Sequence, residues 1–188
     1  VKITVVYEDQ LAAGATPKEF GVHKLVVAAV ADVLGLRYFE VDRRIEPIPK
    51  KGSSNVIIAL RDDGLNNLPA LLVLLDADKI RSEGLLKLSA NSSMDEVLDR
   101  LAEVTVTQRS AFILLDRNVE SILQAAADCE ATIDGNALQR ALNKKLNERD
   151  RILNKVAFAA RAVRDCIFGK VPSLEVLRHR IVEMLHKQ

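Results

Sequence analysis

The chain has no tryptophan, and only 4% of its 188 residues are aromatic. Sequence-tolerant binding of single-stranded nucleic acid relies on rows of aromatic side chains that stack on bases, so the composition argues against a stacking platform of that kind. Soft and imidazole metal ligands are equally scarce: two cysteines, Cys129 and Cys166, and three histidines, His23, His179 and His186. Neither cysteine has a partner at C-x-x-C spacing, and two of the histidines sit together on one face of the last helical segment, which argues against a zinc site. The same scarcity leaves little material for a Ser–His or Cys–His nucleophile. Gly169-Lys170 lacks the upstream glycine loop and strand of a phosphate-binding P-loop. The longest apolar runs, such as Leu68 to Leu75, fall far short of the ~20 residues that span a bilayer, so no membrane segment is expected. No basic leader with a small-residue cleavage site precedes Ile3-Thr4-Val5-Val6-Tyr7, so no signal peptide is read. These absences together imply a cytoplasmic protein whose two cysteines are reduced, partly buried thiols.

What remains is an ordinary globular composition, 48% hydrophobic and 28% charged, enough for one well-buried core. The net charge of +1 conceals an asymmetry. Residues 1–133 hold 15 Lys/Arg against 20 Asp/Glu, and residues 134–188 hold 12 against 6. An acidic body of net −5 is thus followed by a basic segment of net +6. That split suggests a metal site in the body and a polyanion contact in the tail; a solvated basic helix face explains the tail equally well. The domain division expected is 1–133 for an α/β body and 134–188 for a basic helical extension, packed on the body or projecting from it.

Hydrophobic pattern and turn chemistry supply the elements. Ile3 to Tyr7 is an unbroken run suited to a strand buried on both faces. Thr16-Pro17 opens a helix that Gly35 closes. Leu36 to Val41 reads as a second strand near an edge, followed by the loop Pro47 to Gly52. A short helix over Ser54 to Asp62 provides the crossover that a parallel sheet needs. Leu68 to Leu75 and Ala111 to Leu115 are the remaining buried strands. Ser93-Met94-Asp95-Glu96 is a capping box, Asn118 opens a helix to about Cys129, and Asp134 caps a long helical stretch to Phe168, interrupted near Asn147 to Asp150. Gly169 and Pro172 break it before a last helix. Strands alternating with helices indicate an open, mostly parallel α/β sheet of about four strands flanked by helices, with a C-terminal helical extension.

Three strands end in acids: Glu8-Asp9 after the first, Asp76-Ala77-Asp78 after the central one, Asp116 after the last. In open parallel sheets ligands bind beyond the carboxyl ends of the strands. Carboxylates gathered there repel one another unless a cation offsets them, and a hard ion such as Mg²⁺ is the natural partner. Alternation along an extended backbone would set Asp76 and Asp78 on one side. Taken singly, each acid is also a good helix cap or loop residue.

Glu8 at the end of the first strand, followed by Leu71-Leu72-Val73-Leu74-Leu75-Asp76-Ala77-Asp78, resembles the TOPRIM domain of topoisomerases, bacterial primases and the nucleases related to the overcoming-lysogenization-defect family. Arg117-Asn118-Val119-Glu120, opening a helix, is similar to a stretch of the nuclease-like branch. The resemblance covers roughly residues 1–128. It implies a magnesium- or manganese-dependent nuclease, a hydrolase in which Glu8, Asp76 and Asp78 hold Mg²⁺ (or Mn²⁺) for phosphoryl transfer. Asp116 and Glu120 are further candidate metal ligands; at Glu120 a favourable helix-dipole charge is the other explanation. Nucleic acid, DNA or RNA, would contact Lys50 and Lys51 in their loop, Arg117, and Lys144, Lys145 and Arg149 in the tail, all of which also read as solvated or ion-paired surface groups. Here Asp9 stands where the family usually has glycine.

Two other classes remain open. A TOPRIM-like body without catalysis could serve as an interaction subunit, its C-terminal helices docking a protein partner or a second copy. A phosphoacceptor signalling domain also binds Mg²⁺ with acids after its first and third strands; it needs a lysine ending a late strand, and Asp116-Arg117 offers none.

Overall fold

The computed structural model describes residues 2–115 and 119–187. Four strands form one sheet: β1 (Ile3–Glu8), β2 (Ile45–Lys50), β3 (Leu71–Asp76) and β4 (Phe112–Leu115), in the order β2-β1-β3-β4 and all parallel. Every residue of β1 and β3 is buried, as expected of central parallel strands covered on both faces. Their side chains divide by alternation. Ile3, Val5 and Tyr7 of β1 join Leu72 and Leu74 of β3 in one core, whereas Val6, Leu71, Val73 and Leu75 enter the other.

The first core lies under α1 (Gly21–Leu34), α6 (Val119–Cys129), α8 (Leu146–Ala157), α9 (Arg161–Lys170) and α10 (Pro172–His186). The second is closed by α3 (Ser53–Arg61), α4 (Ala77–Arg81) and α5 (Met94–Thr105), the last opened by the Ser93/Glu96 capping box. The C-terminal helices therefore pack on the body: Ile152, Leu153, Val156, Ile167 and Phe168 share a core with β1 and α1. Gly21 shows how close the approach is. A Cβ at this position would stand 2.7 Å from the Leu153 Cβ, so only glycine admits α8 there. The basic tail also meets the acidic body in ion pairs: Arg164 with Asp32 (2.9 Å), Arg149 with Asp9 (2.7 Å) and Lys170 with Asp128 (3.4 Å). Among the described residues no helix is long and apolar enough to cross a membrane.

The structure departs from the sequence reading in four places. The segment expected as the second strand contains the short helix α2 (Tyr38–Asp42), started by the Arg37 N–H donating to Glu40 at 2.9 Å. The strand is instead Ile45–Lys50, whose Pro47 and Pro49 led to a loop reading. N–H groups alternate in direction along a strand, so prolines two apart remove donors only on the outer side of an edge strand, where the sheet needs none. The first helix is split: a 3₁₀ turn (Pro17–Glu19) ends at extended Phe20 before α1 begins. The long C-terminal helix is broken at 143–145 and 158–160 rather than at 147–150, giving α7 (Gly135–Leu142), α8 and α9. Finally, Cys129 and Cys166 are not free thiols but a disulfide joining α6 to α9. Their separation of 37 residues hid a pairing that only the packing of those two helices creates.

Candidate active site at the carboxyl edge of the sheet

Because β1, β3 and β4 are parallel, their last residues reach the same edge. Glu8 closes β1 with a side chain only 2% exposed, and both its oxygens are held. Ser53 Oγ, in the first turn of α3, donates to Oε1 at 2.8 Å, and the Asp76 backbone N–H donates to Oε2 at 2.9 Å. Gly52, with φ of 82°, takes a positive-φ conformation open to glycine that leads β2 into α3 and delivers Ser53 to this point. Burial pushes the Glu8 carboxyl above the usual carboxylate range, against the pull of the Asp76 N–H, Ser53 and Lys79.

Asp76 ends β3 and caps α4, its Oδ1 accepting the Asp78 N–H at 3.0 Å. Its side chain is 5% exposed. Lys79, one helical turn on, brings its Nζ to 3.6 Å from Asp76 Oδ2 and 3.9 Å from Glu8 Oε1. A half-exposed ammonium thus stands over two buried carboxylates. Asp9 continues β1 into the edge. Its Oδ1 accepts from Arg149 at 2.7 Å, while Oδ2 is buried without a hydrogen-bond partner among the described residues. Burial raises the Asp9 carboxyl, and the Arg149 guanidinium opposes that rise.

These groups open on a cleft of about 530 Å³. Lys51, Lys79, Lys144 and Glu120 line it beside Glu8, Asp9 and Asp76, and Tyr7, Phe20, Leu115 and Ile122 belong to its apolar wall.

The residues singled out in the sequence are thus distributed unequally. Glu8 and Asp76 meet. Asp78 does not join them: the chain turns helical directly after Asp76, so the alternation of an extended strand no longer applies. Its side chain is 71% exposed and lies 3.4 Å from Arg81. Among the described residues no three His, Cys, Asp or Glu side chains are grouped to hold a metal ion. Glu120 lines the cleft from the first turn of α6. Asp116 and Arg117 lie outside the described residues. Lys50 sits 3.8 Å from Asp63, and Lys145 is exposed at the start of α8. Arg149, expected as a phosphate contact, is 5% exposed and engaged with Asp9, Asp150, the Gln10 carbonyl and the face of Phe20. Lys79 and Tyr7 were not foreseen, nor was the bond from Ser53 to Glu8. Of these only Lys79 left a trace in the sequence, as a cation three residues after Asp76 at helical spacing.

No protein-family model, curated protein or solved structure matches this chain.

Proposed function

We propose that the chain is a TOPRIM-like, Mg²⁺-dependent hydrolase of nucleic-acid phosphodiesters that works in the cytoplasm. The observation that supports this reading is the meeting of Glu8 and Asp76, buried carboxylates from two paired parallel strands, at the open end of the sheet beside a cleft. Mg²⁺ is characteristically held by one or two carboxylates, with waters and substrate phosphate completing its shell. Glu8 and Asp76 fit that demand: both are anionic oxygen donors, and among the described residues Asp76 Oδ2 is ion-paired with the displaceable Lys79. Asp78 would have to swing inward to contribute. When bound, the ion would supply charge neutralisation at the phosphoryl oxygens and lower the pKa of a water.

The chain's own groups account for the rest. Hydrolysis adds a water oxygen to phosphorus, breaks the bond to the leaving sugar oxygen, and moves a proton from that water to the leaving group. Glu8, its carboxyl raised by burial, is suited to take up or return that proton. Lys79, freed from the carboxylates, is placed to pair with a phosphoryl oxygen. Lys51 and Lys144 on the rim would hold the flanking phosphate. In a reducing cytoplasm the Cys129–Cys166 link would be open, so this reading requires the dithiol form to be active.

A second reading is favoured by the outward Asp78 and by Lys79 neutralising the carboxylates: a TOPRIM-like body without catalysis that serves as an interaction subunit. The experiment that separates them is hydrolysis of DNA and RNA in Mn²⁺ or Mg²⁺ against a chelator control. Glu8→Gln and Asp76→Asn should each lose at least about 100-fold in rate with an unchanged circular dichroism spectrum. Absence of hydrolysis by the wild-type chain, or its survival in both variants, would sink the enzymatic reading.

A further inference from the structure

The cleft is larger than two carboxylates and an ion require, and its remaining features have a chemistry of their own. Its deeper wall is apolar and lies on the α1/α6 side of the sheet, where Tyr7, Phe20, Leu115 and Ile122 face it. Its rim carries lysines from three separate elements: Lys51 from the β2–α3 turn, Lys79 from α4, and Lys144 from the α7–α8 turn, where it takes a φ of 63°. Lys51 and Lys144 are exposed and make no ion pair within the described residues. Two polar atoms in the wall are buried with no hydrogen-bond partner among the described residues: the Tyr7 hydroxyl, on a side chain 1% exposed, and Asp9 Oδ2. An unsatisfied buried polar atom costs about 1–3 kcal/mol, so two on one cleft wall are costly unless a ligand meets them.

We propose that this cleft holds one nucleotide, its phosphate among Lys51, Lys79 and Lys144 beside Glu8 and Asp76, and its base against the partly exposed Leu142 and Leu146 of the apolar wall with Tyr7 and Asp9 at its polar edge. It follows that the substrate is a strand terminus or a short single strand, a conclusion that rests on the phosphodiesterase reading above. The cleft's size admits a nucleotide, and its unpaired polar atoms favour one over simpler anions. The volume falls within the range of about 300–1,000 Å³ that encloses small ligands. An acyl or alkyl phosphate would leave Tyr7 and Asp9 unsatisfied, whereas a base brings N–H donors to the Asp9 carboxylate and either role to the hydroxyl. A base inside a duplex would have to be unpaired and unstacked to enter, and a terminal or single-stranded base enters at least cost. Of the tail's cations, Arg149, Arg164 and Arg178 are held in ion pairs within the fold rather than offered to a duplex.

The test is ligand binding by the whole chain in a chelator, followed by the pattern of polymer cleavage in Mn²⁺. Adenosine 5′-monophosphate should raise the melting temperature at a concentration at least about tenfold below that needed for adenosine or inorganic phosphate alone. Tyr7→Phe should leave the ligand-free melting temperature unchanged or higher, because the hydroxyl it removes has no partner, and weaken the nucleotide by up to about tenfold without affecting phosphate. The surface pair Lys51→Glu with Lys144→Glu should weaken both anions. Linear strands should shorten from their ends, and covalently closed circles should survive. If the nucleotide binds no better than phosphate, the pocket is wrong even where polymer is cut. If circles are nicked as fast as linear strands, the substrate class is wrong and the nuclease reading stands. If the nucleotide binds as described and no polymer is shortened, the pocket stands and the nuclease reading fails.

Discussion

Glu8 Oε2 accepts the backbone N–H of Asp76 at 2.9 Å, a bond between residues 68 apart in sequence. The backbone ladder between the two strands pairs residues only as far as Tyr7 with Leu74. Beyond it a side-chain carboxylate satisfies the next N–H, at the residue where β3 gives way to α4. One charged group therefore fixes the end of β1, the cap of α4 and, through Ser53, the start of α3. Any change at position 8 acts on all three.

Glu8→Gln should stabilise the metal-free protein at neutral pH by roughly 1 kcal/mol, a rise of about 2–4 °C in Tm. The amide oxygen still accepts the Asp76 N–H, the Ser53 hydroxyl rotates to accept from the amide, and the buried charge is gone. The sign follows from the raised carboxyl. Relative to a permanently charged group, Glu8 contributes stability below its unfolded pKa and loses that contribution as pH rises through its higher folded pKa. The advantage of the variant should therefore disappear on acidification into the carboxylate range. Thermal melts across pH check this; a variant less stable at every pH would mean that the charge is already compensated.

Mn²⁺ or Mg²⁺ at 100 times its dissociation constant should stabilise the native chain by about 2.7 kcal/mol, roughly 5–10 °C in Tm. Asp76→Asn should abolish the increment. Asp78→Asn should keep most of it, since that side chain points to solvent and Arg81. Lys79→Met should lower the metal concentration needed, by about tenfold, because its ammonium is the cation an incoming ion displaces. An Asp78 variant that loses the response as completely as Asp76 would show that the helix start rearranges around the ion.

Arg149→Met should cost up to about 3 kcal/mol in denaturant unfolding, as it leaves the partly buried Asp9 and Asp150 without their buried cation. Lys145→Glu, at an exposed position one turn earlier, should change stability by less than about 0.5 kcal/mol. Equal effects at the two positions would contradict the buried pairing. The contrast also warns that charge reversal at Arg149 reports on folding before it reports on any phosphate.

Reduction, or Cys129→Ser with Cys166→Ser, should lower stability by about 3–4 kcal/mol, the loop-closure contribution expected of a link spanning 37 residues. Identical unfolding curves with and without a reductant, together with two titratable thiols in the native chain, would restore the free-thiol reading of the sequence.

Much of the sheet was legible because its central strands are buried on both faces and announce themselves as unbroken apolar runs. Ile3 to Tyr7 and Leu68 to Leu75 needed no other signal, although the second strand begins only at Leu71, and the acids following them do gather at one end of the sheet. The edge strand was not legible. Glu46, Pro47, Pro49 and Lys50 carry loop chemistry, and they form a strand only because β1 presents a free edge to them. Asp78 was misplaced by extending strand geometry one residue too far, since Asp76 serves at once as strand end and helix cap. Ser53 and Lys79 reach Glu8 through tertiary contacts, which spacing along the chain does not encode. The charge asymmetry was visible but its meaning was not. Arg149, Arg164 and Lys170 answer acids of the body itself.

The boundary at residues 133 and 134 separates opposite charges but does not separate folds, because α8 seats its Leu153 against Gly21 and α9 delivers Arg164 to Asp32. Cut there, neither fragment would keep a closed core, yet each would carry what the other lacks: an acidic sheet with a bare apolar face, and a basic set of helices to cover it. Opposite net charges accelerate the encounter of such pieces. The chain is thus suited to reassembly from two separately produced pieces, held together by the same packing and ion pairs that join them in the intact protein.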